Sequence, residues 1–307
     1  MEKKYFADTV LMVRPSYFRY NIETASNNKF QKKSEEEIES IQEKAVQEFN
    51  FMVSALEANN INVIVEESDP IHQCPDAVFP NNWISLHEDG TLITYPMFAP
   101  ARRKERNAEI ITRLQERFHY TKHIALENFE SKNIFLEGTG SMVFDRENKL
   151  VFACRSPRTD ESILQEFCKA TSFRPIVFDS FDSNGDAIYH TNVMMAMGHD
   201  FAVICLSSIR DDEQRYDVIS NLENAGKEIL DITFEQMNQF AGNMLELKNT
   251  NDEYVFVMSN AAYQSLTKNQ LDFLRSRTKI LPVSIPTIET IGGGSARCMM
   301  AEVMKPE

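Results

Sequence analysis

The sequence predicts an α/β fold in which five β-β-α-β units close into a ring with pseudo-fivefold symmetry. A pattern of strand, tight turn, strand and helix recurs four times. Its turn centres at Asp89, Glu147, His199 and Asn251 lie 58, 52 and 52 residues apart. No Pro-, Gly- or Ser-rich linker divides the 307 residues, so one domain over 1–307 is expected. Regular self-similarity of this length marks repeated supersecondary units that must pack on one another to bury a core. A doubly wound α/β sheet fits poorly, because hairpins precede the helices where a parallel sheet needs single strands.

Taken in order, residues 8–15 read as a strand ending at Arg14-Pro15, and Ser16–Gln31 as a polar loop whose Asn-rich part, Asn21–Gln31, is a candidate lid. A helix is expected from Ser34 to Ala58. Ser34 caps it, Glu35–Glu37 fill its positive first turn, and Ile38, Ile41, Ala45, Phe49, Met52 and Leu56 form its apolar face. Ile61–Val65 follows as a short buried strand. The repeats are then Trp83–Leu86 and Thr91–Tyr95 with a helix over Ala101–Phe118, and Ser141–Phe144 and Leu150–Ala153 with a helix over Thr159–Ala170. The last two are Val193–Met197 and Phe201–Leu206 with a helix over Asp211–Ala225, and Met244–Lys248 and Tyr254–Met258 with a helix over Thr267–Arg277. The N-terminal strand and helix, closed by strands at Ile280-Leu281-Pro282 and Cys298–Val303, supply the fifth unit.

A formal charge of −14 argues against nucleic acid or an anionic membrane as partner, both of which select basic surface. No apolar run is long enough to span a bilayer, and Met-Glu-Lys-Lys-Tyr-Phe opens no secretory signal, so a cytoplasmic protein is expected. Five scattered cysteines, Cys74, Cys154, Cys168, Cys205 and Cys298, fit a reducing compartment. The one metal-like pair, His72 and Cys74, lacks a second half, and no metal or cofactor is expected.

Chemistry-bearing residues fall at equivalent places, just before each first strand. They are Asp76 through Asn81-Asn82, Glu137-Gly138, Tyr189-His190 with Asn192, Gly242-Asn243, and Gly292-Gly293-Gly294 leading to Cys298. Three glycines strip the backbone of Cβ atoms and deliver one thiol straight afterwards. If the hairpins ring a common axis, a thiol, an imidazole, a carboxylate and several amides converge there. A thiol is a strong nucleophile for an electrophilic carbon, and one imidazole with an ordinary pKa near 6.5 can serve both halves of a covalent mechanism.

In this order the strings Val13-Arg14-Pro15, Asp76–Asn82, Thr94-Tyr95-Pro96, Ala99–Glu105, Leu136-Glu137-Gly138, Ser156–Thr159, Tyr189-His190 and Gly292–Met299 carry a resemblance that runs nearly end to end. The chain resembles the pentein, or guanidino-group-modifying, superfamily, which holds arginine deiminase, dimethylarginine dimethylaminohydrolase, succinylarginine dihydrolase and the amidinotransferases. It looks closest to the citrulline-hydrolase and dimethylaminohydrolase-like branch. The resemblance implies Cys298 as nucleophile, His190 as general acid and base, and Glu137 as the site carboxylate. It implies Asp76, Asn82 and Asn192 as contacts to the reacting group, and Arg102 and Arg158 as the grip on a substrate α-carboxylate. Asn243, at the fourth mouth, is a further candidate contact.

Arginine deiminases hold the guanidinium with two aspartates, and the matching places here hold Asn82 and Asn192. A buried cation short of negative charge is costly, whereas a neutral ureido group suits a carboxamide that both donates and accepts. Citrulline, giving ornithine, carbon dioxide and ammonia, is therefore the expected substrate. Arginine deiminase or dimethylarginine dimethylaminohydrolase activity, amidino transfer to an amine, and a non-enzymatic binding protein are the alternatives. A small molecule is the expected partner, and a homodimer is compatible with the sequence.

Overall fold

The repeat pattern translates into five three-stranded sheets. The computed structural model describes residues 5–25, 27–69 and 71–306. In every sheet the middle strand runs antiparallel to the first and parallel to the third.

The chain opens with β1 (Thr9–Arg14), α1 (Ile38–Ala58) and β2 (Asn62–Glu67). The first repeat gives β3 (Ile84–Leu86), β4 (Thr91–Thr94), α2 (Pro100–Arg103), α3 (Ala108–Phe118) and β5 (Lys122–Ala125). The second gives α4 (Gly138–Ser141), β6 (Val143–Asp145), β7 (Leu150–Cys154), α5 (Glu161–Thr171) and β8 (Arg174–Phe178). The third gives β9 (Met195–Met197), β10 (Phe201–Ile204), α6 (Asp212–Asn224) and β11 (Glu228–Asp231), with α7 (Phe234–Met237) after it. The fourth gives β12 (Leu245–Lys248), β13 (Tyr254–Ser259), α8 (Asn260–Ser265), α9 (Lys268–Arg275) and β14 (Lys279–Val283). Last comes β15 (Ala301–Glu302), which pairs antiparallel with β1 so that the C-terminus completes the first sheet, ordered β15-β1-β2.

Four expectations change. Ile280-Leu281-Pro282 lies in β14 and pairs with β13, so it closes the fourth repeat and not the N-terminal unit. The strand expected at Cys298–Val303 begins at Ala301, because Ala296–Met299 is a single-turn 3-10 helix. The helix expected from Ala101 is broken: α2 stops at Arg103, and α3 restarts behind Asn107, whose Oδ1 accepts from the N–H groups of Glu109 and Ile110. Helix α1 starts at Ile38 without a side-chain cap, and Ser34 instead accepts the N–H of Glu36 outside it. Helices α5, α6 and α9 are capped by Asp160, Asp211 and Thr267, each accepting a first-turn N–H.

Strands β4, β7 and β10 are buried throughout, while β2, β5, β8, β11 and β14 are partly exposed. The first and middle strands therefore make the inner wall, and the third strand of each sheet is its outer edge. Strand β15 touches β3, β6 touches β9, β9 touches β12, and β13 meets the Ala296–Met299 turn, which returns the last repeat to the first sheet. Tight turns can sit this close only where side chains are missing: a Cβ on Gly242 would lie 2.2 Å from the Val193 carbonyl oxygen, and one on Gly138, at φ +46°, would lie 2.3 Å from that of Asn81.

Candidate active site

The first strands are entered through short turns, and these carry the chemistry. Pro80–Asn82, α4, Thr191–Val193 and Ala296–Met299 are single helical turns, and a bend at Ala241-Gly242 serves the fourth repeat. The turn at Pro80–Asn82 packs on both α4 and Ala296–Met299, and α4 packs on Thr191–Val193. Asn82, Glu137, His190, Asn243 and Cys298 lie far apart along the chain, and the ring of repeats brings their strand entrances together.

Cys298 is 5% exposed and wrapped by two carboxamides. Asn243 Nδ2 donates to its Sγ at 3.2 Å while Asn243 Oδ1 accepts the Cys298 N–H at 3.4 Å, and Asn192 Nδ2 donates to Sγ at 3.4 Å. Asn243 Nδ2 also reaches the Asn192 carbonyl at 3.0 Å, tying the two turns together. The remaining cysteines are buried thiols pushed up by desolvation, Cys74, Cys154 and Cys168 to about 12 and Cys205 to about 11. A thiol raised this far is a poor nucleophile near pH 7.

Glu137 is fully buried, and its carboxylate is fully engaged. Oε1 accepts the Phe98 N–H at 2.9 Å, and Oε2 accepts from His190 Nε2 at 2.7 Å and from Arg158 Nη1 at 3.4 Å. Burial alone would raise its pKa, but Arg158, the His190 bond and Arg102 outweigh it and hold the carboxyl well below the usual range. An ionised carboxylate can only accept, so His190 carries its proton on Nε2 and presents Nδ1 as a lone-pair base. Burial lowers His190 to about 4, with the Glu137 bond opposing that shift, so the imidazole is neutral near pH 7. Activation of the thiol by an imidazolium is thus not how this site rests; a neutral imidazole stands ready to take a proton.

Asp76, Asn82 and Asn192 each carry an unpartnered buried atom: Asp76 Oδ1, Asn82 Nδ2 and Asn192 Oδ1 have no hydrogen-bond partner among the described residues. Asp76 is held on its other oxygen by Asn21 Nδ2 at 2.8 Å, and its pKa is raised by burial against the pull of Arg102. Gly140 lets Asn82 and His190 close in on the turn of α4, since a Cβ there would fall 2.4 Å from Asn82 Nδ2 and 2.8 Å from His190 Nδ1. Buried polar atoms without a protein partner are groups that a polar ligand can satisfy.

The two arginines differ. Arg158 sits under the 21–31 segment, its Nε donating to Asn27 Oδ1 at 3.1 Å, its Nη2 to Asn27 and to the Thr24 carbonyl, and its guanidinium lies 4.8 Å over the Tyr189 ring. Arg102 spends four donors inside the protein, Glu105 taking two at 2.9 Å, Asn82 Oδ1 one at 2.8 Å and the Phe79 carbonyl one at 3.2 Å. Sequence reasoning missed Glu105, Gly140 and Asn27 as part of the site. Glu105 reads as an ordinary i+3 helix partner of Arg102, Gly140 as a turn, and Asn27 as one polar loop residue among many.

The candidate lid covers the site. Beyond the contacts to Arg158 and Asp76, Asn28 Nδ2 reaches the carbonyls of Gly292 at 3.4 Å and Gly293 at 3.3 Å, and the Lys32 N–H bonds the Thr290 carbonyl at 2.7 Å.

Five β-β-α-β units with their functional side chains gathered at the strand entrances define the pentein class. The chain is similar in structure to the N-terminal domain of ArgZ, an arginine dihydrolase from the ornithine-ammonia cycle in Cyanobacteria, with TM-score 0.74, 16% identity, and 97% of this chain and 98% of that one covered. AgrE bound to L-arginine matches with TM-score 0.74 and 16% identity, over 97% of this chain and 40% of AgrE. A dimethylarginine dimethylaminohydrolase bearing an adduct with S-methyl-L-thiocitrulline matches with TM-score 0.65 and 15% identity, over 97% and 99%. No curated protein matches in sequence. The chain belongs to the N,N dimethylarginine dimethylhydrolase, eukaryotic, family, whose model matches residues 14–305. It is a hydrolase of guanidino-type C–N bonds, not of peptide bonds. Among the described residues no helix is long and apolar enough to cross a membrane.

Proposed function

We propose that this hydrolase acts on a ureido carbon, converting citrulline to ornithine, carbon dioxide and ammonia through a covalent adduct on Cys298. One observation carries the reading: Arg102 Nη1 lies 2.8 Å from Asn82 Oδ1. Arginine has only donors, so the carboxamide oxygen must face it, and the orphaned Nδ2 faces the site. A ureido group offers that donor a carbonyl oxygen, and its N–H groups suit the free oxygens of Asp76 and Asn192. A guanidinium offers five donors and no acceptor, which leaves Asn82 Nδ2 opposed to another N–H.

In the proposed sequence, sulfur attacks the carbonyl carbon and the oxygen gathers negative charge against Asn82 Nδ2, as in an oxyanion hole. Neutral His190 takes a proton at Nδ1 and returns it to the departing ammonia as the C–N bond breaks. Water, deprotonated by the same nitrogen, then attacks the thiocarbamate. The S–C bond breaks, and the carbamate released loses carbon dioxide to give ornithine. Asn243 and Asn192 hold the sulfur, Glu137 holds the imidazole, and Arg158 is left for the substrate carboxylate.

A second reading is an arginine dihydrolase, which passes through the same ureido chemistry after releasing a first ammonia; the carboxylate of Asp76 and the likeness to ArgZ favour it. Incubation with citrulline, arginine, dimethylarginine and agmatine, with ammonia and ornithine measured and Cys298→Ser as control, separates the readings. Turnover of citrulline is expected. Normal deimination of arginine or demethylamination of dimethylarginine with citrulline untouched would sink the ureido assignment.

A further inference from the structure

We infer that Asn243 is a catalytic residue, a fixed hydrogen-bond donor that stabilises negative charge on the Cys298 sulfur. The inference rests on Cys298 as nucleophile, which both readings of the reaction share. A carboxamide can present either end to a neighbour, but here the backbone settles the choice. Asn243 Nδ2 lies 3.0 Å from the Asn192 carbonyl, which can only accept, so the amino end faces that oxygen. Oδ1 lies 3.4 Å from the Cys298 N–H, which can only donate and which it shares with the Ser295 carbonyl at 3.0 Å. With one Nδ2 hydrogen on the Asn192 carbonyl, the other is left for Sγ, 3.2 Å away. Asn192 differs. Its Nδ2 lies 3.4 Å from the same sulfur, but its Oδ1 has no partner among the described residues, so no bond fixes which end it presents.

A donor aimed at sulfur favours the thiolate over the thiol, the more so in a buried place, and Asn243 and Cys298 are both buried. The titratable groups around the sulfur bring no free cation to it. His190 is neutral near pH 7, and Tyr189, whose hydroxyl burial pushes up, donates to the Gly293 carbonyl at 3.0 Å. Arg102 and Arg158 are paired with Glu105 and Glu137, and the Glu289 carboxyl accepts from Ser295. Arg297, next along the chain, donates to the Met300 carbonyl at 2.9 Å and to Glu302 at 2.8 Å. A guanidinium substrate carries its own positive charge to the nucleophile, whereas a neutral ureido group does not, and the protein must then supply the donor. As the S–H bond breaks, the proton passes to His190 Nδ1. The electron pair stays on sulfur against the Asn243 N–H until it forms the S–C bond.

The test reads the thiol without substrate, as the rate of alkylation by iodoacetamide across a pH series. It uses the wild type, Asn243→Ala, Asn243→Ser and Asn192→Ala, with Cys298→Ser giving the background from the four other thiols. Asn243→Ala should react about tenfold more slowly at about pH 7, the scale of one hydrogen bond to a charged group. The deficit should close by about pH 10, where a thiol ionises without help. A deficit of the same size at every pH would make Asn243 a tether between two turns and overturn the inference, as would no deficit at all. Asn192→Ala should cost less than about threefold, since its carboxamide is not fixed. A larger loss there than at Asn243 gives the role to Asn192 and also overturns the inference. If Asn243→Ala does not fold, Asn243→Ser, which leaves a hydroxyl for the same backbone groups, must show the same pH-dependent deficit. A wild type that leaves citrulline untouched overturns the ureido reading, while the alkylation series still decides the role of Asn243.

Discussion

His190 Nε2 lies 2.7 Å from Glu137 Oε2, and this bond decides which imidazole nitrogen does the chemistry. Glu137→Gln keeps the shape but replaces an obligate acceptor with a group that can donate, so the imidazole can invert its tautomer and turn an N–H toward the site. The loss in kcat should be about 10²–10⁴-fold. In the wild-type enzyme His190 sits at about 4, so the acid limb of kcat/KM belongs near pH 4. The base is lost as pH falls through that value. Stability follows the same sign: the folded value lies below the ordinary 6.5, so stability is full above 6.5 and declines as pH falls toward 4, where the unfolded chain binds the proton first. A pH-rate profile with its acid limb at 6.5 would contradict this geometry.

Much of this arrangement was legible in the sequence, because turn spacing reports the repeat and each repeat enters its first strand at the same place. The inner strands are apolar and were readable; the outer ones β5, β8 and β11 are short and half-exposed, as in Lys122–Ala125, and leave little pattern. The break after Arg103 was not legible, since Ala101–Phe118 is compatible with one helix and the restart shows only in the cap at Asn107. The sequence placed Arg102 and Arg158 in one role. Which donors are free depends on Glu105 and Asn27, and only the folded chain separates them.

Gly140 lets Asn82 and His190 close in on the turn of α4. Its backbone is helical and would accept alanine, but the added Cβ would lie 2.4 Å from Asn82 Nδ2 and 2.8 Å from His190 Nδ1. Gly140→Ala should therefore displace Asn82 and His190, lowering the unfolding midpoint and losing at least about 10²-fold in kcat because the reacting geometry is displaced. Circular dichroism melts alongside ammonia release check both halves. Full activity in the variant would mean that the substrate sits elsewhere.

Asn27 occupies the guanidinium of Arg158, the group proposed to take the substrate carboxylate. Binding must then exchange a side-chain carbonyl for a carboxylate, and the exchange weakens apparent affinity. Asn27→Ala removes the competitor. KM for citrulline should fall up to about tenfold with kcat unchanged, the scale of one hydrogen bond to a charged group. A rise in KM, or an equal change on N-carbamoylputrescine, the same ureido chain without its carboxylate, would show that Asn27 does not stand in for the carboxylate.

Glu289 precedes the glycine triplet and receives the Ser295 hydroxyl at 2.6 Å, bracing the segment that delivers Cys298. Burial raises its carboxyl to about 7, against the bonds from Ser259 and Ser295 and with help from Glu48. The sign is opposite to that of His190. The unfolded chain gives up this proton near 4.5, the folded chain near 7, so the fold loses stability as pH climbs between those values and stays lower above. Glu289→Gln keeps an acceptor for Ser295 and never ionises. The variant should match the wild type at pH 4.5 and exceed it at pH 8 by an amount on the order of 1–3 kcal/mol. Thermal or urea unfolding at the two pH values measures the gap directly, and a gap that does not widen with pH would mean that Glu289 is already ionised in the folded protein at the lower one.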